Sequence, residues 1–309
     1  MNGRSIGVIG VGKLGSDVAF MLAERDFARI LLYDRDRERA QYVASDLAET
    51  VFSGGYTRRV SSVSSMRDLA GCDVILISAG RSHECLEGDP PTPEELFRDN
   101  RALVKEIAET FTGSSTLFVV ASEPVDLLTA ELVKTMRLPF SRVLGLGGVL
   151  DSYRIRHILG EKMQFNPDYI RSQVVGPHDA SLIPLWDFTS INGIPIRSIV
   201  DESILTQAEE TFTLGCEDHT LDSVPSRYTP AMACADLLDS IVRDDRRILS
   251  TTVVWENVLG VSGVAMSIPC VIGRLGAERI VVPELNEAHQ RRITNAAATY
   301  GAILEGAQA

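Results

Sequence analysis

The sequence predicts an α/β protein: a doubly wound parallel sheet over residues 1–145, followed by a mixed α+β domain over residues 146–309. Three observations predict it. Short apolar runs of strand length alternate with helical patterns through the first half. A glycine-rich turn joins the first run to the first helical pattern. Beyond residue 146 that alternation gives way to short β-like runs and longer helical stretches. Alternating strands and helices fold into parallel sheets because a parallel connection needs a crossover.

Taken in order, residues 5–9 (SIGVI) form the first strand and residues 17–22 (DVAFML) lie on the helix after it. Residues 30–33 (ILLY) are the second strand, and Ala40, Val43, Ala44 and Leu47 mark one face of a second helix. A short strand is expected near residues 58–63 and a buried one at 72–78 (CDVILIS). The proline-rich stretch 81–93 then breaks the rhythm where open α/β sheets bind their ligands. Thr92-Pro93-Glu94-Glu95 is a helix start, with Thr92 as N-cap and Pro93 at the first helical position. Further strands are expected at 116–121 and 142–146, with a helix over 127–136 between them and another opening after Gly147. In the second half, residues 172–175, 194–199, 251–254 and 267–272 are β-like, and 230–244 and 286–305 are helical.

The turn Gly10-Val11-Gly12-Lys13-Leu14-Gly15 sits between a strand and a helix, and Asp34 ends the next strand about 20 residues on. That context turns a weak glycine pattern into a dinucleotide fingerprint. Gly10 allows the sharp turn, Gly12 has no Cβ to hold a pyrophosphate off the backbone, and Gly15 lets the helix pack close. Lys13 and Leu14 belong to the same phosphate-facing turn. Asp34 would accept hydrogen bonds from ribose hydroxyls and repel a 2′-phosphate, which favours NAD over NADP. Ser78-Ala79-Gly80 marks a second close approach of backbone to cofactor.

Bulk properties narrow the class further. The net charge of −12 argues against nucleic acid or an anionic membrane as partner. Five scattered cysteines without C-x-x-C spacing are expected as reduced thiols of a cytoplasmic protein, with neither disulfides nor a metal site. No stretch reaches membrane-spanning length, and the four residues before the first strand are too few for a signal peptide.

Over nearly its whole length the chain resembles the lactate and malate dehydrogenases, nearer to the lactate-dehydrogenase-like malate dehydrogenases. The resemblance rests on the fingerprint with Asp34, on Ser78-Ala79-Gly80 and on Pro124-Val125-Asp126. It continues in Leu150-Asp151-Ser152-Tyr153-Arg154, Val175-Gly176-Pro177-His178, Tyr228-x-Pro230-Ala231, Ser267-Ile268-Pro269 and Gly273-Arg274-x-Gly276. It implies a Rossmann-type first domain, NAD as cofactor, a small 2-oxo or 2-hydroxy acid as substrate, and a homodimer or homotetramer. It further implies that His178 exchanges a proton with the substrate oxygen, that Asp151 holds and charge-balances the imidazole, and that Arg154 clamps the substrate carboxylate. Asn100, on the helix after the loop, joins the cofactor-binding set.

Taken singly, a histidine after a strand is ordinarily a satisfied core or surface residue, and Asp-x-x-Arg on a helix a solvated ion pair. Their occurrence together in this order favours the catalytic reading.

The departures bear on the substrate. The family's mobile loop carries arginines, yet none occurs from Ser82 to Leu96; Arg81 is the only one within reach on that side. Glu123 stands where the family has asparagine, and Arg227 occupies a pocket position that is normally small or aliphatic. Arg81, Glu123 and Arg227 are therefore the specificity candidates. An acid in a closed site needs a partner, so a substrate with a positive or hydrogen-bond-donating group is expected rather than plain lactate or malate. Two other readings stay open: a malate dehydrogenase in which Arg81 or Arg227 replaces the loop arginines, and a non-catalytic NAD-binding homologue.

Overall fold

The computed structural model describes residues 4–26, 28–55, 60–82, 91–217 and 227–306. The first half alternates as expected: β1 (Ser5–Ile9), α1 (Lys13–Glu24), β2 (Arg29–Tyr33), α2 (Arg37–Ser53), β3 (Val60–Ser62) and β4 (Val74–Ile77). After them come α3 (Pro93–Thr110), β5 (Leu117–Val120), α4 (Val125–Met136), β6 (Val143–Gly145) and α5 (Gly147–Met163). These six strands are parallel in the order β3-β2-β1-β4-β5-β6. The chain moves outward from β1 to β3 and then returns to the other side of β1 as β4. That reversal opens a crevice at the carboxyl ends of β1 and β4, where doubly wound sheets take their ligands. All four residues of β4 and of β5 are buried, because helices cover both faces.

Helix α3 starts as its sequence predicts. Thr92 accepts a hydrogen bond from the Glu95 N–H at 3.2 Å, and Glu95 accepts one from the Thr92 N–H at 2.9 Å. This reciprocal cap fixes the segment that carries Asn100.

The second half departs from expectation in an informative way. Short strands β7 (Ile170–Arg171), β8 (Val174–Val175), β9 (Ile183–Pro184), β10 (Ser190–Ile191) and β11 (Ile194–Pro195) form two small sheets. They are followed by α6 (Glu202–Glu217), α7 (Tyr228–Arg243), β12 (Arg247–Val254), β13 (Ala265–Gly273), β14 (Gly276–Ile280) and α8 (Glu287–Gly306). The last three strands join the first sheet instead of forming one of their own: β12 pairs antiparallel with β6 through Thr252 and Gly145, giving nine strands among the described residues. One apolar core therefore runs from Ile6 to Ile293 across both halves, and a second packs Ile155, Leu159, Trp186 and Phe212 around α5 and α6.

The β-run expected over 194–199 is strand only at Ile194–Pro195 and then turns into a 3-10 helix, Ile196–Ser198. Cys72, Cys234 and Cys270 are free thiols. Cys85, residues 58–59 of the expected third strand and most of the 81–93 loop lie outside the described residues.

Candidate active site

The glycine turn is built by close packing. Gly10 has φ +94°, and a Cβ there would lie 2.5 Å from the Ala79 nitrogen, so the turn and the end of β4 touch backbone to backbone. A Cβ on Gly15 would run into the Gly10 carbonyl oxygen. Ser78 Oγ donates to that carbonyl at 2.9 Å and locks the two strand ends together. Gly12 differs: its φ is an ordinary −77° and a Cβ would meet nothing within 4 Å. Neither backbone geometry nor the chain's own packing requires glycine at this position, but a group lying against the turn would.

Beside it is a cleft of about 410 Å³ lined by Gly10, Gly12, Asp34, Ser78, Gly80 and Asn100. Lys13 and Leu14 open α1, whose first-turn N–H groups are available to an anion. Asp34 accepts from the Val11 N–H at 2.7 Å and the Asp36 N–H at 2.9 Å, which aims its carboxylate at the cleft mouth. An open cradle at Gly12, a helix N-terminus and a fixed carboxylate suit a dinucleotide.

Asn100 lines this cleft, yet its amide serves the scaffold. Nδ2 donates to the Arg81 carbonyl at 2.8 Å and the Glu123 carbonyl at 2.6 Å, and Oδ1 accepts from the Arg81 N–H at 2.7 Å. It clasps the segment after β4 to the segment after β5.

A second group of side chains gathers at the start of α5. Gly147 and Gly148 press the helix against β12 and β13, where a Cβ on Gly148 would come within 2.7 Å of Ser267. Asp151 and Arg154 lie three residues apart on this helix, their charged groups 3.4 Å from each other. His178 follows β8, and its loop is held by Gly176, which exchanges backbone hydrogen bonds with Ser267 at 3.0 and 2.9 Å. His178 Nδ1 is 2.6 Å from Asp151 Oδ2, and Nε2 is 3.9 Å from Glu123 Oε1. Sequence reasoning thus named three residues that the structure brings together, with Glu123 as a fourth.

The imidazole is perturbed by its surroundings. Burial pulls its pKa down, but the charge and hydrogen bond of Asp151, with the charge of Glu123, outweigh burial and lift it to about 10. Only 1% of the Asp151 side chain is exposed, so this pair acts with little solvent screening.

Asp126 was missed as a functional candidate. Its carboxylate accepts the His178 backbone N–H at 2.7 Å and the Thr252 hydroxyl at 2.6 Å. Burial pushes its pKa up to about 7 against those two hydrogen bonds. In the sequence it reads as an ordinary acid in the first turn of a helix. Tyr300 was also missed: its hydroxyl donates to Asp179 at 3.1 Å, and burial together with Asp126, Asp179 and Glu123 drives its pKa well above the usual tyrosine range. No sequence signal distinguishes Tyr300 from its neighbours in α8.

The two arginine candidates are engaged elsewhere. Arg81 pairs with Asp99 at 2.5 Å at the cofactor cleft, and Arg227 holds both carboxylate oxygens of Asp17 on α1. Arg154 is the cation that the structure brings to the His178 group. Among the described residues no cluster suits a metal ion, and no helix is long and apolar enough to cross a membrane.

A doubly wound sheet with this turn, cleft and fixed acid is that of a dinucleotide-binding protein. Comparison with known proteins makes the class specific. Residues 4–145 match the lactate/malate dehydrogenase NAD binding domain, and residues 148–309 the lactate/malate dehydrogenase alpha/beta C-terminal domain. The malate dehydrogenase of Flavobacterium johnsoniae is 32% identical over 286 residues, 91% of each chain. The structure of the malate dehydrogenase from Aeropyrum pernix superimposes with a TM-score of 0.85 at 26% identity, over 97% of this chain and 98% of that one. A Cryptosporidium parvum lactate dehydrogenase, solved with lactic acid and nicotinamide adenine dinucleotide, has a TM-score of 0.88 at 23% identity, over 100% of this chain and 99% of that one. The chain belongs to the lactate/malate dehydrogenase family. It is an NAD-dependent dehydrogenase acting on small hydroxy or oxo acids.

Proposed function

We propose that this dehydrogenase interconverts a 2-hydroxy acid and its 2-oxo acid at the His178 group, and that plain lactate and malate are not its preferred substrates. The observation that carries the reading is the contact chain His178–Asp151–Arg154, at 2.6 and 3.4 Å. NAD, when bound, supplies the hydride acceptor in one direction and its reduced form the donor in the other.

The chain's own residues do the rest. His178 holds a proton at Nε2 and exchanges it with the substrate oxygen, while Asp151 fixes the Nδ1–H tautomer and balances the imidazolium charge. Arg154 binds the substrate carboxylate through its planar guanidinium. Gly10 to Gly15 receive the pyrophosphate, Asp34 the adenine ribose, and Ser78-Ala79-Gly80 hold the far wall. Asn100 positions Glu123 and Arg81 through their backbones. The nucleotide domain ends at residue 145 and the substrate domain begins at 146.

Malate dehydrogenase activity is the second reading, favoured by the names of the relatives. It requires Arg81 or Arg227 to leave Asp99 or Asp17. A non-catalytic NAD-binding role leaves the three-residue group without a purpose. Exposed Phe20, Tyr42, Tyr228 and Met232 on α1, α2 and α7 support a homodimer or homotetramer. Free thiols and acidic charge support a cytoplasmic setting. Steady-state oxidation of NADH with pyruvate, oxaloacetate and larger 2-oxo acids tests the proposal; oxaloacetate as best substrate selects the second reading, and no turnover of any acid overturns the first.

A further inference from the structure

The charge around His178 does not balance for an anionic substrate. Among the described residues four carboxyl groups lie at or next to His178: Asp151 on Nδ1, Glu123 facing Nε2, Asp126 under the backbone N–H, and Asp179 next along the chain. Against them stand the Arg154 guanidinium and the imidazolium itself. Asp151 is spent on His178 and Arg154. Asp126 is spent on His178 and Thr252, and Asp179 on Tyr300 and the Ser181 N–H at 2.6 Å.

Glu123 is the exception. Its Oε2 receives one long hydrogen bond from the Val125 N–H at 3.3 Å, its Oε1 stands 3.9 Å from His178 Nε2, and about a third of its side chain is exposed. Asn100 fixes it from behind through its backbone carbonyl. A substrate oxygen hydrogen-bonded to Nε2 would lie next to this carboxylate. The proton of His178 can serve that oxygen, but Glu123 then requires a donor or a cation of its own. The histidine shift points the same way: burial alone would lower its pKa, and the negative charge of Asp151 and Glu123 outweighs it.

We infer that Glu123 selects the substrate by charge: the acid turned over carries, besides the carboxylate held by Arg154, a cationic nitrogen that pairs with the Glu123 carboxylate. This rests on the reaction proposed above and adds the substrate class. A second carboxylate at that place would face Glu123 at close range. Dicarboxylic acids are thereby disfavoured and neutral side chains left without a partner.

The test is a kcat/KM comparison on the intact protein with NADH and three probes: 5-guanidino-2-oxopentanoate, its counterpart with an uncharged side chain, 2-oxopentanoate, and oxaloacetate. The expected order is cationic, neutral, dicarboxylate, with the first step about tenfold or more, as a charge-assisted hydrogen bond supplies. Glu123→Gln is expected to erase most of the cationic-to-neutral ratio and to improve oxaloacetate relative to both. Equal or better turnover of the neutral or dicarboxylic acid by the wild type overturns the inference while leaving the reaction standing. An unchanged ratio in Glu123→Gln overturns it as well. Failure of all three probes, and of pyruvate, removes the reaction on which it rests. The wild-type order decides even if the variant folds poorly.

Discussion

Glu123→Gln should move the pH dependence of catalysis, by an amount that follows from the geometry. A unit charge 3.9 Å from His178 Nε2 interacts by about 4 kcal/mol at the effective dielectric of a protein surface and by about 1 kcal/mol in water. With a third of the Glu123 side chain exposed, the lower part of that range applies, roughly 1–2 kcal/mol, or about one pKa unit. Oxidation of the hydroxy acid needs the unprotonated imidazole, which in the wild type is a minor form below about pH 10. The rising limb of kcat/KM against pH, measured with a 2-hydroxy acid whose side chain is uncharged and saturating NAD, should therefore shift to lower pH by about one unit in the variant. Below both limbs its oxidation rate should exceed the wild type's, provided substrate binding is matched by using the ratio across pH. A limb that stays within a few tenths of a unit, or moves upward, would refute the reasoning.

Other substitutions separate the roles of single groups. Gly12→Ala should fold with unchanged melting temperature, since its Cβ meets nothing in the chain, and yet lose NADH binding measured by fluorescence. Gly15→Ala should lose both, by about 2 kcal/mol or more of stability, because its Cβ collides with the Gly10 carbonyl. Asp126→Ala leaves the His178 N–H without its acceptor and the Thr252 hydroxyl with Ser267 Oγ in place of the carboxylate, and should cost about 1–3 kcal/mol in urea unfolding. The raised His178 pKa has a sign of its own. It stabilises the fold fully below the unfolded value of about 6.5, and that stabilisation is lost as pH rises through about 10. The stability gap between wild type and Asp151→Asn should accordingly narrow across that window in denaturant titrations.

Much of the fold was legible because parallel strands buried on both faces leave continuous apolar runs such as residues 74–77, and caps such as Thr92 with Glu95 are local chemistry. The parts that were not legible depend on distant partners. Strand β14 (GAERI) carries two charges and shows little apolar pattern, since it lies at a sheet edge. Helix α6 carries Leu205, Ala208 and Phe212 at helical spacing, a local signal that the elements expected from the sequence leave unassigned. That β12 joins β6 is a matter of pairing between residues far apart in sequence, on which local periodicity is silent.

The site divides the same way. Gly10, Asp34, Asp151, Arg154 and His178 stand in local sequence patterns whose residue types the proposed chemistry calls for. Asp126 and Tyr300 acquire their roles from what packs against them. Arg227 had been placed near the substrate by its position in the chain, and the Asp17 carboxylate across α1 holds it. Arg81 is held by Asp99 in the same manner.

His178 is expected to carry the proton in an NAD-dependent reaction of a 2-oxo acid. NADH oxidation by the wild type and by His178→Asn, with NADH affinity measured in parallel, tests it most directly. The wild type should turn over at least one 2-oxo acid, and the variant should keep its NADH affinity while kcat falls by roughly 10²–10⁴-fold. Equal rates in the two proteins would contradict it.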